Sequence, residues 1–418
     1  MKPIHHTFGP HVDRAYLTRV LLLSYLPWKY LRGSSARELK TELKGMMKGE
    51  TFLFASGREA LLGLLRALEI KTGEEVIVQG YTCVVVPNAI HAAGATVKYA
   101  DIDPATLNLT PETVEALITP RTRAVICQHT FGIPSETKKL KELCESRGIA
   151  LIEDMAHVIP DQKGPAGIGE FGDYLILSFG RDKAISGIAG GAVISRHPKT
   201  SGRLLDIERT APHLPFWHVV KLLEYATRMN SIVRPLSGTF LFRPVVGLLN
   251  RLGFLVPVVT EEEKKGRMSP IIHKIPNVCA SLALYSLRKL KILNERRRLL
   301  ANFFRHRAVQ KGWPMLEGIA QDLPLQKFPL FVENAEKIRE TLKKDNIHLD
   351  DGWTGCVICP DSVKPFDAGY EWGADPVAEA ACLQILSLPT HPTMTIMEAE
   401  RLARRLDSLL KASSSGTL

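Results

Sequence analysis

Short, strongly apolar segments alternate with amphipathic ones between Thr51 and Arg196, and this alternation constrains the fold more than any other feature. The apolar segments predict strands, several of them too apolar to face water on either side. These strands are Glu75–Gln79, Thr96–Ala100, Arg123–Cys127, Ala150–Glu153, Tyr174–Leu177 and Gly191–Ser195. The segments with helical spacing are 57–68, 84–93, 111–118 and 135–147. Such alternation predicts an α/β fold with a mostly parallel central sheet flanked by helices on both faces.

The chain is long enough, at 418 residues, to bury a large core, and we expect one large domain and a smaller one. In the small domain the patterns predict a strand at 327–332 and helices at 335–344, 376–385 and 395–410. The expected divisions are a basic amphipathic segment (1–35), a large domain (36–200), an irregular basic and apolar region (201–273), a long helix over about 276–307 with a smaller α+β domain (274–412), and a disordered tail (413–418).

The net charge of +10 suits anionic partners, either nucleotide-linked substrates or acidic lipids. No helix-turn-helix, zinc-finger or RRM signature is present, so we expect no nucleic-acid partner. The seven cysteines are an odd number without paired spacing, which indicates reduced thiols in the cytoplasm. Cys356 and Cys359 form a C-x-x-C without a second pair, so no metal site is predicted. Neither a secretory signal nor a membrane-spanning run is apparent.

Two segments outside the regular core, 12–32 and 216–259, mix apolar and basic residues. One interpretation is that they pack on the core or against a second subunit. The other is a peripheral contact with an anionic membrane at the inner face, with Trp28 and Trp217 at headgroup depth.

Three chemically distinct side chains follow two neighbouring predicted strands. Asp154 directly follows one strand, whereas Ser178 and Lys183 follow the next. Pyridoxal 5'-phosphate requires an amine to bond it, a carboxylate to keep its ring nitrogen protonated, and a hydroxyl for its phosphate. The segment Ser56-Gly57-Arg58 precedes a predicted helix, whose N-terminus could also hold a phosphate. The sequence therefore predicts a pyridoxal phosphate site at the carboxyl ends of the strands.

Motifs on both sides of these residues resemble those of the DegT/StrS-type aminotransferases. The similar segments, in chain order, are Ser56-Gly57-x-x-Ala60-Leu61, Asp101-Ile-Asp103, Thr119-Pro120-Arg121-Thr122, His129-x-Phe-Gly132, Glu153-Asp154-x-Ala156-His157, Gly169-x-Phe-Gly-Asp173, Ser178-Phe179-x-x-x-Lys183, Gly190-Gly191-Ala192, Pro376-Val-Ala-Glu379 and Leu386-Ser-Leu-Pro-Thr-His-Pro392. The resemblance covers roughly residues 36–196 and 274–410.

This resemblance implies a homodimer of the pyridoxal phosphate-dependent fold type I that transfers an amino group, usually from glutamate, to a keto sugar. The sugar would be linked to a nucleotide or a lipid and used for polysaccharide or glycoconjugate synthesis. Lys183 and Asp154 would be catalytic, with Lys183 bonding the cofactor and moving the proton. The other cofactor-binding residues would be Ser56, Gly57, Arg58, His129, His157 and Ser178. A lysine at 183, where one branch of the family has a histidine and performs deoxygenation, favours transamination.

Several positions depart from the family pattern. Cys83 replaces the aromatic residue that usually stacks on the cofactor, so stacking is lost or supplied by Tyr81. Ile272 and Lys274 align with the Asn and Arg that usually reach the partner subunit's phosphate, which leaves only Lys274 to supply charge. These departures keep two alternatives open, an aminotransferase for a non-sugar cyclic ketone and a non-catalytic, pyridoxal phosphate-binding regulatory or membrane-associated protein.

Overall fold

The computed structural model describes residues 3–6, 13–161, 167–236 and 239–414 of the chain. Its strands are β1 (Ile4–His5), β2 (Glu50–Phe54), β3 (Glu75–Gln79), β4 (Thr82–Cys83), β5 (Thr96–Ala100), β6 (Thr122–Gln128), β7 (Ala150–Asp154), β8 (Tyr174–Ser178), β9 (Gly191–Ser195), β10 (Lys327–Phe331), β11 (Ile347–His348), β12 (Ile358–Cys359) and β13 (Ile385–Pro389).

Helices cover much of the remaining chain. They are α1 (Arg14–Ser24), α2 (Ser35–Met47), α3 (Gly57–Ala67), α4 (Val85–Ala92), α5 (Pro111–Glu115), α6 (Thr137–Arg147), α7 (Pro198–Thr210), α8 (Phe216–Arg228), α9 (Arg234–Leu236), α10 (Phe242–Arg251), α11 (Glu261–Lys264), α12 (Asn277–Arg288), α13 (Leu290–Lys311), α14 (Ala335–Lys344), α15 (Pro376–Gln384) and α16 (Ile396–Ser414). Short 3₁₀ helices lie at Pro27–Lys29, Thr130–Gly132 and Pro365–Ala368, and a π-helical turn lies at Met229–Val233.

The central sheet has seven strands in the order β2-β9-β8-β7-β6-β3-β5. β9 runs antiparallel to both of its neighbours, β2 and β8, whereas all the other pairs are parallel. The predicted mostly parallel sheet is confirmed. β2 was not among the predicted strands.

Both faces of the sheet are covered, as the apolar strands require. In β8, Leu175 and Leu177 face a core cluster that includes apolar residues of α2 and α12. Tyr174 and Ile176, which alternate with them, face the opposite cluster, to which α3 contributes. This period-two alternation between two buried faces explains why the strand is apolar along its whole length.

The single long helix predicted over 276–307 is wrong, because two helices occupy this segment. Lys289, with φ of −99° and ψ of 4°, ends α12 and precedes α13. Neither a proline nor a glycine stands at the break. The two helices pack in different surroundings, since α12 is almost wholly buried in the large domain while α13 buries one side in the smaller core.

The smaller domain is built from the antiparallel pair β10 and β13 with α13, α14, α15 and α16 around it. The short strands β12 and β4 pair in parallel and connect this domain to the large one. Their register places the backbone of Cys359 opposite that of Cys83. The last helix extends to Ser414, two residues into the predicted tail, and residues 415–418 lie outside the described ranges.

The two basic segments lie against each other. α1 buries Tyr16, Val20 and Leu23 on one side and packs against α8 and α12. Residue 12 lies outside the described part of the chain. Within the ranges that the structure covers, no helix combines the length and apolar character needed to cross a bilayer.

Candidate active site

A cavity of about 720 Å³ lies beyond the carboxyl ends of β7 and β8. Eight of the residues that the sequence proposed for the site line it: Ser56, Gly57, Arg58, Cys83, Asp154, His157, Ser178 and Lys183. The doubly wound sheet accounts for this meeting, because parallel strands end at one edge and present the residues that follow them to one crevice.

Asp154 is the last residue of β7, and its side chain is buried. Its Oδ1 accepts a hydrogen bond of 2.9 Å from the backbone N–H of Ala156. Within the described residues, no hydrogen-bond donor lies on its Oδ2. Burial raises the pKa of this carboxyl, while the backbone hydrogen bond and the positive charge of Lys183 oppose the rise. A cationic N–H group in the cavity would stabilise the ionised form.

At one end of the cavity, Ser178 at the end of β8 meets the start of α3. Ser56 caps this 11-residue helix by accepting a 3.2 Å hydrogen bond from the N–H of Glu59. A Cβ added to Gly57 would lie 3.0 Å from Cβ and 3.1 Å from Oγ of Ser178. The glycine therefore lets the helix N-terminus and the Ser178 hydroxyl share one small space, which suits an anion.

Lys183 follows β8 in a turn whose backbone is held from the small domain. A backbone hydrogen bond of 3.4 Å joins its N–H to the carbonyl of Gly180. Arg297 of α13 donates to the carbonyl of Ala184 at 2.8 Å and to that of Lys183 at 3.4 Å. Burial raises the pKa values of Asp154 and Cys83 and lowers that of His157, and the positive charge of Lys183 opposes the two rises and adds to the lowering. Lys183 lines the same cavity as these three residues.

His157 forms another side of the cavity and is kept neutral. Its Nδ1 accepts a 3.1 Å hydrogen bond from the N–H of Phe131, so the ring proton resides on Nε2. Burial, and next the charges of Lys183 and Lys327, hold its pKa well below the usual range. The ring stacks on Phe131 at 5.9 Å and meets Trp353 at 5.0 Å.

Three predicted cofactor-binding residues do not line the cavity. Tyr81 is fully buried among Phe131 and Trp353, and its hydroxyl donates to the carbonyl of Trp353 at 2.7 Å. It therefore cannot supply the stacking ring that the sequence left open. His129 is also buried, with Nε2 donating to Glu153 at 3.0 Å and Nδ1 accepting from the N–H of Ser135. Its role here is to hold the loop after β6.

Lys274 is the third such residue. Its backbone bridges to Phe54 and His213, and its half-buried side chain does not line this chain's own cavity. Arg58, in contrast, does line it but is committed to an ion pair with the buried Glu263 and donates to the Val258 carbonyl at 2.5 Å.

Further cavity residues were missed at the sequence level. Arg181 lines the cavity, lies over the Tyr225 ring at 3.4 Å and donates to the Val256 carbonyl at 2.6 Å. The region 201–273 supplies a whole wall, comprising Leu214, His218, Leu222, Val256–Thr260, Glu262, Glu263, Arg267, Met268, Ser269 and His273. This region carries no motif, and only its amphipathic pattern signalled a packed surface.

The cavity fits pyridoxal phosphate on its own geometry. It offers a buried carboxylate oxygen without a donor among the described residues, a helix N-terminus beside a hydroxyl, and the amine of Lys183 in the same lining. These are the three groups that a pyridinium ring, a phosphate and an aldehyde require.

Comparison with known proteins identifies a matching family and fold. The sequence profile described as the DegT/DnrJ/EryC1/StrS aminotransferase family matches residues 27–233 and 248–407. The aminotransferase from Psychrobacter cryohalolentis superposes with a TM-score of 0.74 at 19% identity, covering 98% of this chain and 100% of that one. This likeness confirms the predicted fold.

Two relatives match over part of the chain. A UDP-N-acetyl-3-dehydro-alpha-D-glucosamine 3-aminotransferase from Acidithiobacillus ferrooxidans is 32% identical over 205 residues, which are 49% of this chain and 55% of the relative. A GDP-perosamine synthase from Escherichia coli O157:H7 is 34% identical over 180 residues, 43% of this chain and 49% of the relative. The matches thus span about half the length of these relatives.

Proposed function

The chain belongs to the DegT/DnrJ/EryC1/StrS aminotransferase family, and we propose that it is a pyridoxal phosphate-dependent transaminase of a keto sugar. The observation that carries the proposal is the meeting of Asp154, Ser178 and Lys183 in one cavity at the ends of β7 and β8. If Lys183 were only a solvated surface charge and Ser178 only a loop hydroxyl, neither would be expected to line the same cavity as the carboxylate of Asp154.

Asp154 and Lys183 have the catalytic roles. The Oδ2 of Asp154 would accept the ring N–H and keep the ring positively charged. Bound pyridoxal phosphate would then supply an electron sink next to the reacting carbon. The Nζ of Lys183 would bond the cofactor in the resting enzyme and, once displaced by the amino donor, hold and deliver the proton at that carbon.

Other residues bind and orient. Ser56, Gly57 and Ser178 would hold the phosphate at the N-terminus of α3. The Nε2–H of neutral His157 is available to donate to the oxygen substituent of the ring. Cys83 lines the cavity, but burial raises the pKa of its thiol, so it remains a neutral contact rather than a nucleophile.

The substrate side rests on the relatives and on the cavity. Two relatives act on nucleotide-linked sugars by their names, and we propose a keto-sugar acceptor, nucleotide- or lipid-linked, used in polysaccharide or glycoconjugate synthesis. Glutamate is the proposed amino donor. Arg181 and Arg267 in the cavity lining could bind its carboxylates.

We further propose a cytoplasmic homodimer with a peripheral membrane contact. Lys274 would then complete the phosphate site of the partner subunit, since it does not line its own cavity. All seven cysteines are unpaired, as a reducing compartment would keep them.

A half-reaction tests this function. Purified protein carrying pyridoxal phosphate should lose its visible absorption band on addition of glutamate, release 2-oxoglutarate, and recover the band when a keto-sugar acceptor is added. UDP-N-acetyl-3-dehydro-glucosamine is a first acceptor to try, beside a cyclitol ketone. Recovery with the cyclitol alone would favour the non-sugar alternative, and a band that glutamate leaves unchanged would favour a non-catalytic protein.

A further inference from the structure

One wall of the cavity is aliphatic and extends to the protein surface. It consists of Leu214 and Leu222 near α8 and the segment Val256–Val259 after α10. Val258 both lines the cavity and is 50% exposed. An apolar path therefore connects the amine of Lys183 with the outside of the molecule.

Large apolar side chains are exposed on α1, α8, the π-helical turn and α10, and these segments pack on one another in that order. We call the following exposed residues the outer apolar surface: Leu21, Leu22, Tyr25, Trp28, Phe216, Trp217, Ile232, Phe240, Leu241, Leu248, Leu252, Phe254 and Val258. Tyr30, which follows the 3₁₀ helix Pro27–Lys29, stacks on Phe216 at 5.4 Å and joins the N-terminal part of this surface to the part from α8. Exposed apolar residues in this number on contiguous segments indicate a contact with lipid or another macromolecule.

The charge on the same segments is strongly positive. Between residues 216 and 259 the basic residues are Lys221, Arg228, Arg234, Arg243 and Arg251, against the single acidic residue Glu224. Glu224 is itself paired with Arg228 at 2.5 Å. Lys221 and Arg251 are exposed, as are Arg14, Lys29 and Arg32 of the neighbouring N-terminal segment.

We infer that the acceptor is a keto sugar attached through phosphate to a membrane lipid, and that the outer apolar surface rests on an anionic bilayer to receive it. The inference rests on the proposed transaminase function and names its substrate class. Apolar side chains, tryptophans and a basic flank are the combination that binds the headgroup region of such a bilayer. The aliphatic cavity wall would accommodate the first part of the lipid.

A second copy of the chain is a less suitable occupant. Across a two-fold axis the same patch would face itself, so its excess positive charge would be repelled. Leu214, Leu222 and Val256–Val259 favour a lipid chain over a nucleotide base, because their side chains offer no hydrogen bonds, although polar residues such as Thr260 and Arg267 line the same cavity.

Vesicle sedimentation tests the membrane part. The wild-type holoenzyme should sediment with phosphatidylglycerol-containing vesicles, less so as salt rises, and only weakly with phosphatidylcholine vesicles. Trp217→Ser/Phe240→Ser should weaken binding by about tenfold or more. The control Val309→Ser/Met397→Ser removes comparably exposed side chains, 65% and 75% against 73% and 88%, from small-domain helices and should bind like the wild type. The inference is overturned if the wild type binds both vesicle types equally, or if the control variant loses as much vesicle binding as Trp217→Ser/Phe240→Ser.

Light scattering on the same variants tests whether a second copy of the chain covers the outer apolar surface instead. If Trp217→Ser/Phe240→Ser turns a dimer into a monomer, the surface is a subunit interface and the membrane inference is wrong. An unchanged mass supports it.

Calorimetry with farnesyl phosphate and UDP tests the lipid part. The holoenzyme should bind farnesyl phosphate more tightly than UDP. Val258→Asp should weaken the binding of farnesyl phosphate by about tenfold without weakening the binding of UDP. The reverse preference overturns the inference. The response of the visible band to glutamate separates the two proposals: if glutamate still changes it while farnesyl phosphate does not bind, only the lipid inference is wrong.

Discussion

The Nζ of Lys327 lies 3.0 Å from Oδ2 of Asp351, with both side chains buried behind the candidate active site. Oδ1 of Asp351 accepts a 3.0 Å hydrogen bond from the N–H of Trp353. The Trp353 ring in turn lies 5.0 Å from His157 and 5.1 Å from the Lys327 Nζ. One ion pair of the small domain thus anchors the backbone of the residue whose ring supports His157.

Replacing Asp351 by alanine should destabilise the protein by about 3–5 kcal/mol, because the Lys327 ammonium would remain buried without its carboxylate. Urea unfolding measures the change. The double variant Lys327→Met/Asp351→Leu, which removes both charges, should be clearly more stable than the single one. If both variants lose the same stability, the pair contributes through packing and the electrostatic explanation fails.

Cofactor binding should weaken as the pH falls, because ionised Asp154 is the form that holds a protonated ring. Burial raises the pKa of this carboxyl, so it takes up a proton at a higher pH than an exposed aspartate. Affinity is therefore retained above the raised pKa and lost below it. Titration of the apoprotein with pyridoxal phosphate at several pH values, followed by visible absorbance, measures this.

Asp154→Asn should bind more weakly with a flatter pH profile and transaminate about 100-fold more slowly or worse. An unchanged pH profile in this variant would assign the titration to another group.

Asp375 should make the protein less stable as the pH rises. Burial, followed by the charges of Asp101 and Glu379, raises its pKa from 3.8 to about 7, and its Oδ2 is buried without a hydrogen-bond partner. The folded state then binds the proton more tightly than the unfolded state, so stability falls as the pH rises from the lower to the higher value. The loss should reach about 2–4 kcal/mol above pH 7.

Asp375→Asn should remove this pH-dependent loss in thermal unfolding, whereas Asp361→Asn at an exposed position should leave the profile as it is. The assignment would be contradicted if the wild type and Asp375→Asn changed in stability by the same amount between pH 5 and pH 8.

Gly57→Ala should weaken the binding of pyridoxal phosphate, since the added methyl would lie 3.0 Å from Cβ of Ser178 in the space assigned to the phosphate. The control is Gly45→Ala on α2, where a Cβ meets nothing within 4 Å. It should keep the affinity and gain about 0.5–1 kcal/mol of stability, because alanine favours a helix interior. Equal affinity in the two variants would place the phosphate elsewhere.

Much of the large domain follows from local pattern, and the reasons are physical. Strands β7 and β8 are buried on both faces and end at one edge, so their apolar runs predicted both their positions and the meeting of Asp154 with Ser178. β2 was missed although Glu50–Phe54 has the same length as the predicted strands β7 and β8 and is buried along most of it. The break at Lys289 escaped it because the packing of two domains, rather than any helix-breaking residue, ends α12 there.

The site was predictable where motifs carry it and unpredictable where distant segments meet. Tyr81 and Trp353 are far apart in sequence, and only the folded structure shows that their contact withdraws Tyr81 from the cavity. Arg181 adjoins the predicted residues, but its place over Tyr225 depends on α8, which lies in the region without motifs.

The most direct test of the central claim is the covalent position of the cofactor. Borohydride reduction of the holoenzyme followed by proteolysis and mass spectrometry should place a pyridoxyl group on Lys183, and Lys183→Ala should carry none and lack the visible band. A pyridoxyl group on another lysine, or a wild-type protein that binds no pyridoxal phosphate, would contradict the assignment of this cavity.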